Sequence, residues 1–262
     1  MPTAQSGFFE WVLYFLKAFG PMFLRGAGTT LLIASAGTLA GFIIGLAVGV
    51  VRTIPNDPAR GKVRWALLKA VNGLLAAYIE VFRSTPMIVQ AMVIYYGCAQ
   101  VLHVNLPQLL AGFVIVSINT GAYLSEIMRG GIHSVDPGQR EAAQAIGMRH
   151  GQTMLYVVLP QAIRNVLPAL GNEFIVNIKD TSVLNVISVS ELFFVSKSAA
   201  GTYFKYFEVF FITSVIYFVM TFCFTRLLRF LEKKMDGPDN YVIHGSQTVP
   251  EVELKSAGGA AQ

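Results

Sequence analysis

Residues 26–51 read GAGTTLLIASAGTLAGFIIGLAVGVV, 26 residues without a charge. A helix rises ~1.5 Å per residue, so this run more than crosses a hydrocarbon core of ~30 Å. Gly37, Gly41, Gly45 and Gly49 recur at every fourth position and form one ridge, a surface against which another transmembrane helix packs closely. The whole chain agrees with this stretch: of 262 residues, 54% are hydrophobic and 13% charged, with a mean hydropathy of +0.55. That leaves too little polar surface for an ordinary soluble domain and predicts an all-α, polytopic membrane protein.

The net charge of +5 does not point to nucleic acid, because the basic residues flank apolar spans instead of interleaving with aromatics. Cys98 and Cys223 stand far apart within or beside predicted spans, and His103, His133, His150 and His244 lack ligand spacing. A disulfide framework and a metal site are both excluded as readings.

Outward from the first span, residues 1–25 are aromatic and apolar but interrupted by Glu10, Lys17 and Arg25, which predicts a segment lying along the membrane interface. Arg52, Arg60, Lys62 and Arg64 crowd the following loop and place it in the cytoplasm. Residues 65–82 read as an interfacial or tilted helix leading through Arg83-Ser84-Thr85-Pro86 into a second span over 86–102, with Arg83 anchoring at the interface. Further spans are expected over 106–128, 166–187 and 206–230, the last two separated by an outer segment with Glu191, Lys197 and Lys205. Five spans put the amino terminus outside and the carboxyl terminus inside. The permease domain is expected over 26–235, and residues 236–262 form a flexible cytoplasmic tail.

One polar segment, Asp136 to Pro160, is long enough to form its own element between spans. Asp136 caps a helix with Pro137 in its first turn, Gln139 reaches back to complete a capping box, and Gly147 supplies the left-handed residue that ends it. Small side chains leave the helix face smooth, ringed by Arg140, Gln144, Arg149 and His150.

The order Glu141-Ala142-Ala143, Gly147, then Val157-Val158-Leu159-Pro160 resembles the EAA loop of ABC-importer permeases, Val157 standing where that pattern has Ile. Three more stretches look like the polar amino-acid branch of these permeases. They are Glu80 to Pro86 with Val89-Gln90, Asn119 to Gly131, and Leu159 to Arg164 followed by Gly171 to Phe174 and Lys179 to Ser182. The resemblance covers roughly Gly26 to Lys234. It implies a type I importer permease of five transmembrane helices, in which Glu141, Ala142, Ala143, Gly147, Arg140 and Gln144 form a cytoplasmic coupling helix. It also implies a bacterial inner membrane, two ABC ATPase subunits per complex, an extracytoplasmic amino-acid-binding protein, and a second copy or a homologous permease.

Polar groups inside spans usually face an interior or a cavity. Asn119, Tyr123 and Glu126 share one helix face by spacing, as do Asn177, Asp180 and Thr181, so both clusters are candidates for the substrate path. The competing structural role has Glu126 pairing with Arg129 and Asp180 with Lys179 or a backbone donor. No Gly-x4-Gly-Lys-Ser/Thr phosphate loop and no nucleophile elbow is present, so this chain is not read as an enzyme. Neither catalytic nor metal residues are assigned, and ATP and Mg are expected on the partner ATPase. The alternative is an ion-coupled secondary transporter or channel.

Overall fold

The computed structural model describes residue 2 and residues 6–236, and every regular element among them is helical. The expected tail over 236–262 lies outside the described residues, apart from residue 236 itself. Helix α1, Phe8–Arg52, has 45 residues and is about 68 Å long. Helices α2 (Lys62–Ser84) and α3 (Met87–Gln100) follow, then α4 (Gln108–His133), α5 (Pro137–Ala145) and the short α6 (His150–Thr153). A π-helical turn, Met154–Val158, leads into α7 (Leu159–Asp180), which continues as a 3-10 helix over Thr181–Ile187 before α8 (Leu192–Tyr203) and α9 (Tyr206–Asp236).

Among the described residues four helices, α1, α2, α4 and α9, are long and apolar enough to cross a membrane, and a fifth crossing forms if His150–Ile187 and α8, bent by 54°, are one span. The expected second span is corrected by this layout. Helix α3 has 14 residues, about 21 Å, and falls short of a ~30 Å core, whereas α2 has 23. Thr85 and Pro86 divide the segment: both are extended, since proline disfavours a helical residue before it.

The glycine ridge is the spine of the bundle. A Cβ at Gly37 would lie 2.6 Å from Val116, at Gly41 2.7 Å from Thr120, at Gly45 2.7 Å from Leu124 and at Gly49 2.9 Å from Met128. Both partners advance by four residues per contact, so α1 and α4 run parallel in close backbone contact. Helix α7 crosses them in the opposite sense, Val166 beside Gly131 and Asn177 beside Thr120. Buried Asn177 ties the three together, its Nδ2 donating to Thr38 Oγ1 at 2.8 Å and Thr120 Oγ1 at 2.9 Å.

No helix end marks the boundary expected at residue 25. Glu10, Lys17 and Arg25 lie on the exposed side of α1, while Trp11, Phe15 and Phe23 are buried on the other. Tyr203 at the end of α8 meets this aromatic end of α1, its ring 5.5–6.1 Å from those of Trp11, Tyr14, Phe15 and Phe19. Glu191, in the segment expected on the outer side, is fully buried there. It caps α8, accepting from Phe193 N at 2.8 Å and Phe194 N at 2.7 Å, and Tyr217 of α9 donates to it at 3.1 Å.

Candidate coupling element and transport path

Helix α5 is held at one end of the bundle by few residues and leaves the rest exposed. Asp136 Oδ1 accepts from Gly138 N at 2.7 Å, closing the amino-terminal turn. Gln139 contributes its backbone N–H to Asp136 O, at 3.0 Å, in place of the expected reciprocal side-chain bond. At the other end Gly147, with φ +85°, donates to Gln144 O at 2.9 Å and Met148 N donates to Ala143 O at 3.0 Å. These two bonds make the Schellman ending that a left-handed glycine permits.

Arg140 donates through Nη2 to Ile132 O and anchors α5 to α4, while buried Ala143 lies on the protein side of α5, which packs against the π-helical turn and α6. Glu141, Ala142, Gln144 and Gly147 face outward. Ile146 joins them at 80% exposure, an apolar knob on a polar helix that its place just before the glycine could have suggested.

The second feature is the break between α2 and α3. Ending a helix strands its last carbonyls, which need new partners. Gln90 provides them: its Nε2 lies 2.9 Å from Phe82 O, 2.9 Å from Thr85 O and 2.8 Å from Thr85 Oγ1. Its Oε1 accepts from Asn119 Nδ2 at 2.8 Å, which fastens the break to the middle of α4. Asn119 adjoins Thr120, the residue bonded to Asn177, so the break is level with that central layer. Near the same level α7 gives up α-helical geometry after Asp180. Two discontinuous elements therefore flank the middle of α4, an arrangement tolerated at membrane depth where protein or an aqueous cavity satisfies the backbone.

Charged side chains are exposed at this level: Glu80 and Arg83 on α2, Lys179 and Asp180 on α7. The Arg83 guanidinium stands over the Tyr123 ring at 5.7 Å, beside the break, and its expected anchoring at the interface is corrected accordingly. Lys69, Asn72, Glu80 and Arg83 fall on one side of α2 by helical spacing, a stripe that could have been read in the otherwise apolar stretch.

The six predicted path residues divide. Asn119, Asn177 and Thr181 are buried with their polar atoms bonded to protein, Thr181 Oγ1 donating to Ile178 O at 3.0 Å. Glu126 is engaged by Arg52 from α1 and by Arg129, whose Nη2 is 2.8 Å away. Tyr123 and Asp180 retain accessible surface. A cavity of 290 Å³ lined by Leu39, Phe42, Leu170 and Phe174 lies toward α9 and contains none of the six.

Residues 65–237 match the model of the family described as binding-protein-dependent transport system inner membrane component. The glutamine transport system permease protein GlnP of Escherichia coli K12 is 36% identical over 216 residues, 82% of this chain and 93% of that protein. The arginine transport system permease protein ArtQ of Bacillus subtilis is 32% identical over 219 residues, 84% and 94% of the two chains. A crystal structure of an amino acid ABC transporter with histidines superposes with a TM-score of 0.72 and 37% identity, covering 88% of this chain and 100% of that one. Its four apolar helices with the bent pair, its α1–α4 spine and these matches agree, and the chain belongs to the family of binding-protein-dependent transport system inner membrane components.

Proposed function

We propose that this chain is the transmembrane permease of an ATP-driven importer of polar amino acids, with α5 as the element on which a separate ATPase acts. The observation that carries the reading is the exposed rim of α5, Glu141, Ala142, Gln144 and Ile146, on a helix anchored to α4 by Arg140. A connecting helix that served only the fold would bury more of its small residues. The named relatives transport glutamine and arginine, which supports an amino-acid substrate.

In this reading the α5 end of the bundle is cytoplasmic, the amino terminus outside and the carboxyl terminus inside a bacterial inner membrane. Residues 8–25, the first part of α1, form its outer end. Two permease copies, or this chain and a homologue, enclose the path, two ATPase subunits bind ATP and Mg, and a binding protein delivers substrate. Arg83 meets the substrate carboxylate and Asp180 its ammonium group, Tyr123 lies between them on α4, and buried Asn119, Asn177 and Thr181 keep the walls in register.

Charge-assisted hydrogen bonds are the strong ones, so Arg83→Gln or Asp180→Asn is expected to raise the KM for uptake by about tenfold or more. Membrane assembly and ATPase association stay unchanged. Uptake kinetics in proteoliposomes check this, and an unchanged KM in both variants removes these residues from the path. Broken helices also occur in ion-coupled secondary transporters, and the exposed α5 is what favours the ATPase-driven class.

A further inference from the structure

The Arg52–Glu126–Arg129 cluster joins the last residue of α1 to α4, two turns before α4 ends at His133. Each Glu126 oxygen meets a different guanidinium: Oε1 that of Arg52, and Oε2 those two nitrogens of Arg129 that lie at 2.8 and 3.1 Å. Side chains 23% and 21% exposed at Arg52 and Glu126 keep the bridge partly sheltered. Arg52 thus turns back onto α4, although it closes a hydrophobic span where a cation commonly reaches toward lipid headgroups. One turn beyond the bridge, Ile132 O accepts from Arg140 of α5. Above it the Gly37 to Gly49 ridge brings α1 and α4 into close backbone contact. Far along α1, Thr30 Oγ1 accepts from Leu192 N of α8 at 3.3 Å, and Gly26 seats against the Leu192 backbone.

A continuous line of contacts therefore runs from α5 through α4, the ion bridge and α1 to α8 at the opposite end. We propose that Glu126 is a positioning residue for coupling: its carboxylate fixes the end of α1 to α4, so that displacement of α5 carries α1, and with it α8, as one body. This rests on the importer reading above. Glu126 then acts on the partner ATPase's stroke and does not bind the transported molecule.

The test measures amino-acid uptake and ATP hydrolysis together, in proteoliposomes holding the full complex. For Glu126→Gln the KM for uptake stays within about twofold of wild type, while molecules imported per ATP fall about tenfold, within the ordinary span of coupling between sites. Glu126→Asp restores part of the ratio. An apolar pair can replace an ion pair without loss of packing, so Arg52→Leu combined with Glu126→Leu recovers more coupling than Glu126→Leu alone, and this comparison decides the matter if the Gln variant does not assemble.

A raised KM with an unchanged ratio makes Glu126 a substrate ligand and overturns the proposal. So does an unchanged ratio with an unchanged KM, or a double Leu variant no better than the single one. A wild-type complex that lacks ATP-driven uptake overturns the importer reading itself, and this inference with it.

Discussion

Gly45→Leu is expected to remove the folded protein from the membrane. A Cβ at this position would lie 2.7 Å from Leu124 Cβ, 2.8 Å from Leu124 C and 2.9 Å from Ser125 N, and two of those neighbours are backbone. Nothing there can rotate away, so α1 and α4 must part. Overpacking a close-packed site costs about 1–3 kcal/mol even where side chains can adjust, and here separation also opens the contacts made by Gly41 and Gly49. Gly73→Leu is the control, since a Cβ at Gly73 on α2 meets nothing within 4 Å. Detergent-extracted yield and thermal midpoint check the pair: Gly73→Leu close to wild type, Gly45→Leu lost or strongly lowered. Equal behaviour of the two would deny the ridge its role.

The second large effect falls on function and leaves the fold intact. Gly147→Trp puts a bulky β-carbon residue at φ +85°, where left-handed backbone costs an L-residue about 1–2 kcal/mol. The side chain meets no protein atom within 4 Å at its Cβ and projects beside Ile146 onto the exposed rim of α5. The protein is expected to accumulate in the membrane as wild type does, yet to lose ATPase association and uptake. Gly147→Asn, which tolerates the left-handed region, retains most of both. Co-purification of the ATPase with each variant checks this, and Trp and Asn variants that retain it equally would exclude the rim as the docking face.

The features legible in the sequence were those carried by short-range spacing. Gly37, Gly41, Gly45 and Gly49 marked a close helix approach because small residues at every fourth position can only make a ridge, and α4 lies along it. Asp136 and Gly147 marked the ends of α5 because capping is settled within a few residues. The fate of polar groups partnered over long distances was not legible. Asn177 lies among Thr38 and Thr120, and Gln90 answers the carbonyl of Phe82 and the amide of Asn119. Spacing alone could not say whether such side chains serve a path or the bundle.

Charges alone do not mark where a helix begins. Glu10, Lys17 and Arg25 interrupt the first 25 residues in sequence, and seven- and eight-residue spacing puts them on one exposed face of a single helix. The burial of Glu191 was not legible, because the two backbone donors and Tyr217 that make it tolerable are set by the fold.

The source of energy for transport separates an ATPase-driven importer from an ion-coupled transporter most directly. Radiolabelled amino-acid uptake should be measured in proteoliposomes containing this chain, its ATPase and its binding protein, with ATP enclosed or omitted and all ion gradients collapsed. The prediction is uptake that requires both ATP and the ATPase and is indifferent to the gradients. Uptake that persists without the ATPase and follows an imposed ion gradient would contradict the account and assign the broken helices of this chain to a secondary transporter.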